Sequence, residues 1–216
     1  MKYEEFVKTG KFNKDQLEEI ETAFENGLSM EQIELFAQPK FDAKQMKEIR
    51  FAFQVGLKME QINAFAKPEF IWQQMEELRF AFQNGLTLEQ IQLFADSQLN
   101  FDEMHQIRLA FENCLDPQQI KFIAKPELNA CQKFHLRKLF ENGLTIKSVT
   151  YISDLIARDA TDARLTFLRD LIYIWEVKAF IEAFENGLTA DEAYFLIDDD
   201  DYSEEELKKE LELLLK

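Results

Sequence analysis

Between residues 41 and 69 the apolar positions trace two helices of unequal length. Met46, Ile49, Ala52 and Phe53 recur at three- and four-residue steps, which puts them on one stripe of a helix. Asp42 stands ahead of that stripe with Gln45 three residues later, the spacing of a capping box. Gly56 ends it, where a left-handed residue is expected and a side chain would cost about 1–2 kcal/mol. Leu57 is then placed to fold back on the last turn, as a Schellman arrangement prefers. Ile62, Phe65 and Ala66 mark a shorter second helix, and Pro68 stops it.

The same grammar returns at a fixed interval. Counting by 29 from Gly27 reaches Gly56, Gly85, Cys114 and Gly143, each preceded three residues earlier by phenylalanine and followed by leucine. Asn13 with Gln16, Asn100 with Glu103, and Asn129 with Gln132 open the first helix of other units. Ser29 with Gln32, Thr87 with Gln90, Asp116 with Gln119, and Thr189 with Glu192 open the second. Pro39, Pro68 and Pro126 close the short helices in register, with Ser97 at the remaining tick, and Asp116-Pro117 reads as a helix start with proline in the first turn. A period of this length marks stacked supersecondary units. One hairpin has too little core to stand alone, so stacking must bury a continuous apolar layer.

The expected fold is therefore all-α: an α-solenoid of stacked helical hairpins forming a single domain over 1–216. Residues 1–11 read as an N-terminal cap and 12–154 as about five regular units. Residues 155–197 form an irregular repeat, because the next glycine phrase, ending at Gly187, arrives 44 residues after Gly143. The span 161–186 has length for one long helix or for two broken near Asp170, with the break preferred. Residues 198–216 read as an acidic linker, Asp198 to Asp201, followed by a closing helix that Ser203 and Glu206 cap.

Composition narrows the class. Apolar residues make up 46% of the 216, which argues against disorder, and 21 phenylalanines point to one packing position used repeatedly. The net charge of −16 repels phosphate backbones and acidic membranes and suits a basic partner, besides keeping the surface solvated. Two cysteines, Cys114 and Cys131, and two histidines lack the spacing of a metal site. The N-terminus has no apolar run and no stretch approaches about 20 apolar residues, so a cytoplasmic protein without a membrane span is expected.

The phrase QMEELRFAFQNGLTLEQIQLFA and the link A-x-P-x-F before each new unit resemble helical-hairpin repeats in proteins of Firmicutes and their mobile elements. The likeness covers 12–154 and is good at Trp72, Met75, Arg79, Gly85, Ile91 and Ala95. It implies a helical repeat fold and no particular activity. The tetratricopeptide repeat is similar in architecture only, since its unit is about 34 residues.

Function in such a fold is expected in surface columns of equivalent positions. One column holds Arg50, Arg79, Arg108 and Arg137, with Glu21 in the first unit, about 90° around the helix from the apolar stripe. It fits either inter-repeat ion pairs with Glu48 or Glu77, or a ladder of guanidinium forks for a partner's carboxylates or phosphates. The next column runs Thr22, Phe51, Phe80, Leu109, Lys138, apolar only in the middle, with Trp72 and Phe101 nearby. It fits packing against the adjacent unit or an anchor for a partner. His105 and His135 occupy inequivalent positions with no acidic group fixed beside them, and no nucleophile, base and orienter can be assembled. Asp198 to Asp201 lacks the alternation and glycine of a calcium loop.

Two function classes remain. The first is a non-catalytic adaptor or scaffold, without cofactor, that binds a partner protein or peptide through Arg50, Phe51, Trp72, Arg79, Phe80, Phe101, Arg108, Leu109 and Arg137. The second is an acidic inhibitor from a mobile element that mimics nucleic acid and blocks a basic nucleic-acid-binding effector or nuclease. The rows Glu19, Glu48, Glu77 and Glu31, Glu60, Glu89 supply its carboxylates, and both lose charge in the fourth unit at Gln106 and Gln118.

Overall fold

Each left-handed residue is where the sequence requires it. In the computed structural model, φ is +74° at Gly27, +84° at Gly56, +90° at Gly85, +56° at Cys114 and +87° at Gly143. Each turn carries both Schellman hydrogen bonds; at Gly85, its N–H donates to Phe82 O (3.1 Å) and the Leu86 N–H to Ala81 O (3.0 Å). The fourth unit makes the same two bonds at Cys114 and Leu115, so a cysteine there adopts the glycine geometry. A Cβ at Gly85 would meet no neighbouring atom. The constraint at that turn is conformational rather than steric crowding.

The structure describes residues 3–150, together with 179, 182, 183, 186, 203, 205, 206, 209, 212 and 213. Long helices alternate with short ones in order: α1 (Tyr3–Thr9), α2 (Lys14–Glu25), α3 (Met30–Phe36), α4 (Ala43–Gln54), α5 (Met59–Phe65), α6 (Trp72–Gln83), α7 (Leu88–Ile91), α8 (Phe101–Glu112), α9 (Pro117–Ile123) and α10 (Ala130–Glu141). No strand occurs among the described residues, so the all-α class holds for them. The chain divides into two compact units, Met1–Phe134 and His135–Lys216. The expected irregular repeat, the Asp198 to Asp201 linker, the possible break near Asp170 and the glycine phrase at Gly187 lie outside the described residues. The Ser203 cap is present: the Ser203 N–H donates to Glu206 Oε2 (2.9 Å). These bonds hold the exposed Glu206 carboxyl below its ordinary value.

Within the first unit, successive long helices α2, α4, α6 and α8 pack on one another, and α3 and α5 each touch their own long helix and the next. Ile20, Ile49, Leu78 and Ile107 occupy one buried column, with Ala23, Ala52, Ala81 and Ala110 beside it. From the short helices, Ile33 with Phe36, Ile62 with Phe65, and Ile91 with Phe94 complete the layer. The N-terminal helix α1 seats Phe6 against Phe12 and Phe24, at 6.0 and 6.2 Å between ring centres.

Capping glutamines also join neighbours. Gln45 Oε1 accepts from the N–H of its own N-cap, Asp42, at 2.8 Å, while its Nε2 donates to Phe70 O in the next unit at 2.6 Å. Gln16 and Gln74 repeat this with Phe41 O and Leu99 O. In the fourth unit the position is Glu103, whose ionised carboxylate accepts but cannot donate. In the next unit Lys133, in register with Met46, Met75 and Met104, is fully buried and donates to Ile123 O (2.9 Å) and Lys125 O (2.6 Å). Burial lowers its pKa against the opposing pull of Glu103 and Glu127.

Two outcomes follow. Gly85→Val should lower the unfolding free energy by about 1–2 kcal/mol in urea titrations, whereas Cys114→Gly should leave it unchanged or raise it. For Lys133, the native state holds its proton less tightly than the unfolded chain, whose lysine titrates near 10.5. The burial cost is complete below the lowered native value and disappears as pH rises toward 10.5. The double variant Glu103→Gln/Lys133→Met, which restores both repeat residues, should melt higher than the parent at neutral pH. That gap should narrow with rising pH; a constant gap would show that the lysine charge carries no cost.

Candidate functional site

Arginine at the column position projects from the flank of each long helix, too close to the apolar stripe to remain in water. Arg50, Arg79 and Arg108 are all buried. Each meets the glutamate that lies two residues before the equivalent position of the preceding unit, which is Glu21 in the first unit and arginine in the others. Arg50 Nε donates to Glu19 Oε2 at 2.9 Å, Arg79 Nε to Glu48 Oε2 at 2.9 Å, and Arg108 Nε to Glu77 Oε2 at 2.7 Å. Nη1 of each donates one turn on within the same helix: Arg50 to Gln54 (3.0 Å), Arg79 to Gln83 (2.7 Å) and Arg108 to Glu112 (2.6 Å). Of the two readings of this column, the inter-unit ion pair is the arrangement found. The guanidinium forks are thus engaged by acceptors within the chain.

Burial drives the Glu48 carboxyl above its ordinary range, against the hydrogen bond and charge of Arg79. Burial likewise opposes the charge on Arg108, but the bonds from Glu77 and Glu112 outweigh it and hold the guanidinium above its ordinary value. In the second unit, Arg137 is buried and bonded to Glu141. The carboxylate row Glu19, Glu48, Glu77 is therefore the internal complement of the arginine ladder rather than a free acidic surface.

The phenylalanines behave differently. Arg79 Cζ lies 4.4 Å from the Phe80 ring centre and Arg108 Cζ 5.6 Å from it, so two successive arginines flank one ring. Phe51 sits likewise between Arg50 (4.7 Å) and Arg79 (5.9 Å), with Lys47 Nζ at 5.4 Å. Yet Phe80 stays 36% exposed and Phe51 half-buried, since the column points away from the packed stripe. Leu109 is half-buried as well. Phe101 is 38% exposed at the start of α8, and Trp72 is half-buried at the start of α6 beneath Lys44 Nζ, 5.1 Å from its ring centre. The flank is thus an apolar column on a bed of arginines already neutralised by glutamates.

His105 corrects the expectation that no acid stands near either histidine. Its Nδ1 lies 3.2 Å from both Glu77 carboxylate oxygens and 3.0 Å from Arg108 Nη2. One spacing could have shown it: His105 lies 28 residues after Glu77, close to the 31 that separates each arginine from its glutamate. Cys114 and Cys131 are free and exposed. Among the described residues no cluster of His, Cys, Asp and Glu is arranged for a metal ion, and no helix is long and apolar enough to cross a membrane. In comparisons with family models, curated proteins and solved structures, nothing matches this chain.

The pairing gives a double-mutant test. Arg79→Leu leaves Glu48 buried without its cation and should destabilise by about 3–5 kcal/mol. Adding Glu48→Leu should recover most of that loss in chemical denaturation. If the double variant is no better than the single, the pair contributes nothing and the arginine acts by packing alone.

Proposed function

We propose that the chain is a non-catalytic protein-interaction module, an α-solenoid of helical hairpins that binds a partner protein or peptide on a repeat-built face. What supports this reading most is Phe80, a large apolar ring left open to solvent while both flanking arginines are fixed by buried ion pairs. A ring held that firmly loses little conformational freedom on binding, the property that makes aromatic anchors dominate interfaces. Phe51, Leu109, Trp72 and Phe101 extend the patch. Arg50, Arg79 and Arg108 contribute as its support rather than as contacts, and Arg137 has the same buried character in the second unit. No cofactor is part of this reading, and neither nucleic acid nor a membrane is the partner.

The acidic-inhibitor reading, a mobile-element product occupying a basic nucleic-acid-binding protein, draws on the −16 charge and the exposed row Glu31, Glu60, Glu89. Against it stands the loss of the other carboxylate row to internal pairing. Mimicry of a phosphate backbone needs charge along a continuous face, and half of the candidate charge is sequestered. The adaptor reading therefore ranks first.

A pull-down from the native host, read by mass spectrometry, distinguishes them. Phe51→Ser/Phe80→Ser should lose the partner captured by the parent while its melting curve remains close to the parent's. A partner retained at full yield would remove this flank from consideration. Capture of a nuclease or nucleic-acid-binding protein displaced by added DNA would favour mimicry.

A further inference from the structure

The short helices present a second surface, built differently from the long-helix flank. In α3, Glu31 and Leu35 lie two residues to either side of buried Ile33, about 200° around the helix from it. They are one turn apart on the outward side. The same pair recurs as Glu60 with Ala64 about Ile62, whereas in the third unit Glu89 lies in α7 and Leu93 in the turn that follows it. Glu31, Glu60 and Glu89 are exposed, and Leu93 is 42% exposed, with Leu35 and Ala64 half-buried. A row of carboxylates and a row of apolar side chains result, about 6 Å apart along α3 and α5.

The charge on this face is uncompensated. Glu19, Glu48 and Glu77 each have an arginine, whereas Glu31, Glu60 and Glu89 have no ion pair among the described residues. The helices Met30–Phe36, Met59–Phe65 and Leu88–Ile91 contain no lysine or arginine. The pattern ends in the fourth unit, where Gln118 replaces the glutamate and Lys121 enters the helix. The acidic row thus spans three units and closes at the fourth.

We propose that this face receives a basic amphipathic helix of a partner protein, its apolar stripe on Leu35, Ala64 and Leu93 and its lysines or arginines on Glu31, Glu60 and Glu89. Charge complementarity selects that occupant. A row of carboxylates bordering an apolar row matches a helix whose cations border its apolar stripe, whereas an acidic or neutral segment would leave the carboxylates without partners. A second copy of this chain, with the same acidic row, is the wrong sign. The inference rests on the reading of the chain as a protein-binding module but uses a face separate from Phe80.

The test is fluorescence anisotropy with a labelled leucine-lysine-alanine amphipathic peptide about five turns long, beside a scrambled peptide of the same composition. The parent should bind the patterned peptide more tightly, and binding should weaken as salt is raised. Glu31→Gln/Glu60→Gln/Glu89→Gln should weaken it about tenfold or more, and Leu93→Ser several-fold. Glu18→Gln/Glu21→Gln/Glu25→Gln removes the same charge from exposed positions elsewhere and should change it less than about twofold. Melting curves accompany each variant, because first-turn glutamates also suit the helix dipole. Equal binding of the scrambled peptide, or equal loss in both triple variants, reduces the effect to net charge and overturns the proposal. Loss of binding in Phe51→Ser/Phe80→Ser but not in the row variants assigns the peptide to the long-helix flank; this proposal then fails while the module reading stands. Concentration-dependent self-association abolished by Leu93→Ser would make a second copy the occupant and overturn it equally.

Discussion

A carboxylate placed between two packed helices must be neutralised or pushed to its protonated form, and that requirement organises the first unit of this molecule. Glu48 and Glu77 are buried at the contact between successive long helices, and an arginine reaching back from the following helix pairs with each. Once the arginine is drawn in, its guanidinium plane lies against the phenylalanine that follows it in sequence and against the equivalent ring one unit back. The ring is held from both sides yet left open above. One electrostatic requirement thus determines which acids are lost from the surface, which rings are presented, and how rigidly.

Much of the fold is legible because its signals are local. A capping box, a glycine at a left-handed position and a proline after a short helix each act within about four residues, and the sequence shows all of them. The amides that join the units are less legible. Gln45 reads as the third residue of a capping box, but only the folded chain brings Phe70 O to its other end. Lys133 is harder still. A lysine in a helix ordinarily reads as solvated, and only strict counting places it in the methionine column that the core encloses.

The candidate site shows the same division. Column counting finds Arg50, Arg79, Arg108, Phe51 and Phe80 as neighbours, but it cannot say which of the two side-chain types faces solvent. The two columns are about 100° apart around the helix, and the sequence does not show how far the neighbouring helix covers either of them. Burial of the glutamates resolves it, since they draw the arginines inward. His105 was missed for a related reason: its acidic neighbour Glu77 belongs to the preceding unit and is brought near only by stacking.

Departures from the repeat also concentrate in one region. Cys114 takes the glycine position, Glu103 replaces the bridging glutamine, Lys133 replaces the core methionine, and Gln118 ends the outward carboxylate row. These substitutions touch different chemistry: a turn, an inter-unit amide, a core column and a surface row. Shared location is what connects them. The amide link and the core column change together, and Lys133 donates to Ile123 O and Lys125 O, carbonyls other than those the glutamines reach in earlier units. Repetition is therefore strictest over the first three units, where the outward glutamates recur, with arginine-backed rings in the second and third at Phe51 and Phe80. A surface whose spacing must match a partner needs that regularity, whereas a core needs only to be filled. The coincidence of that repetition with exposed rows is the physical argument for the proposal that recognition centres on these repeats.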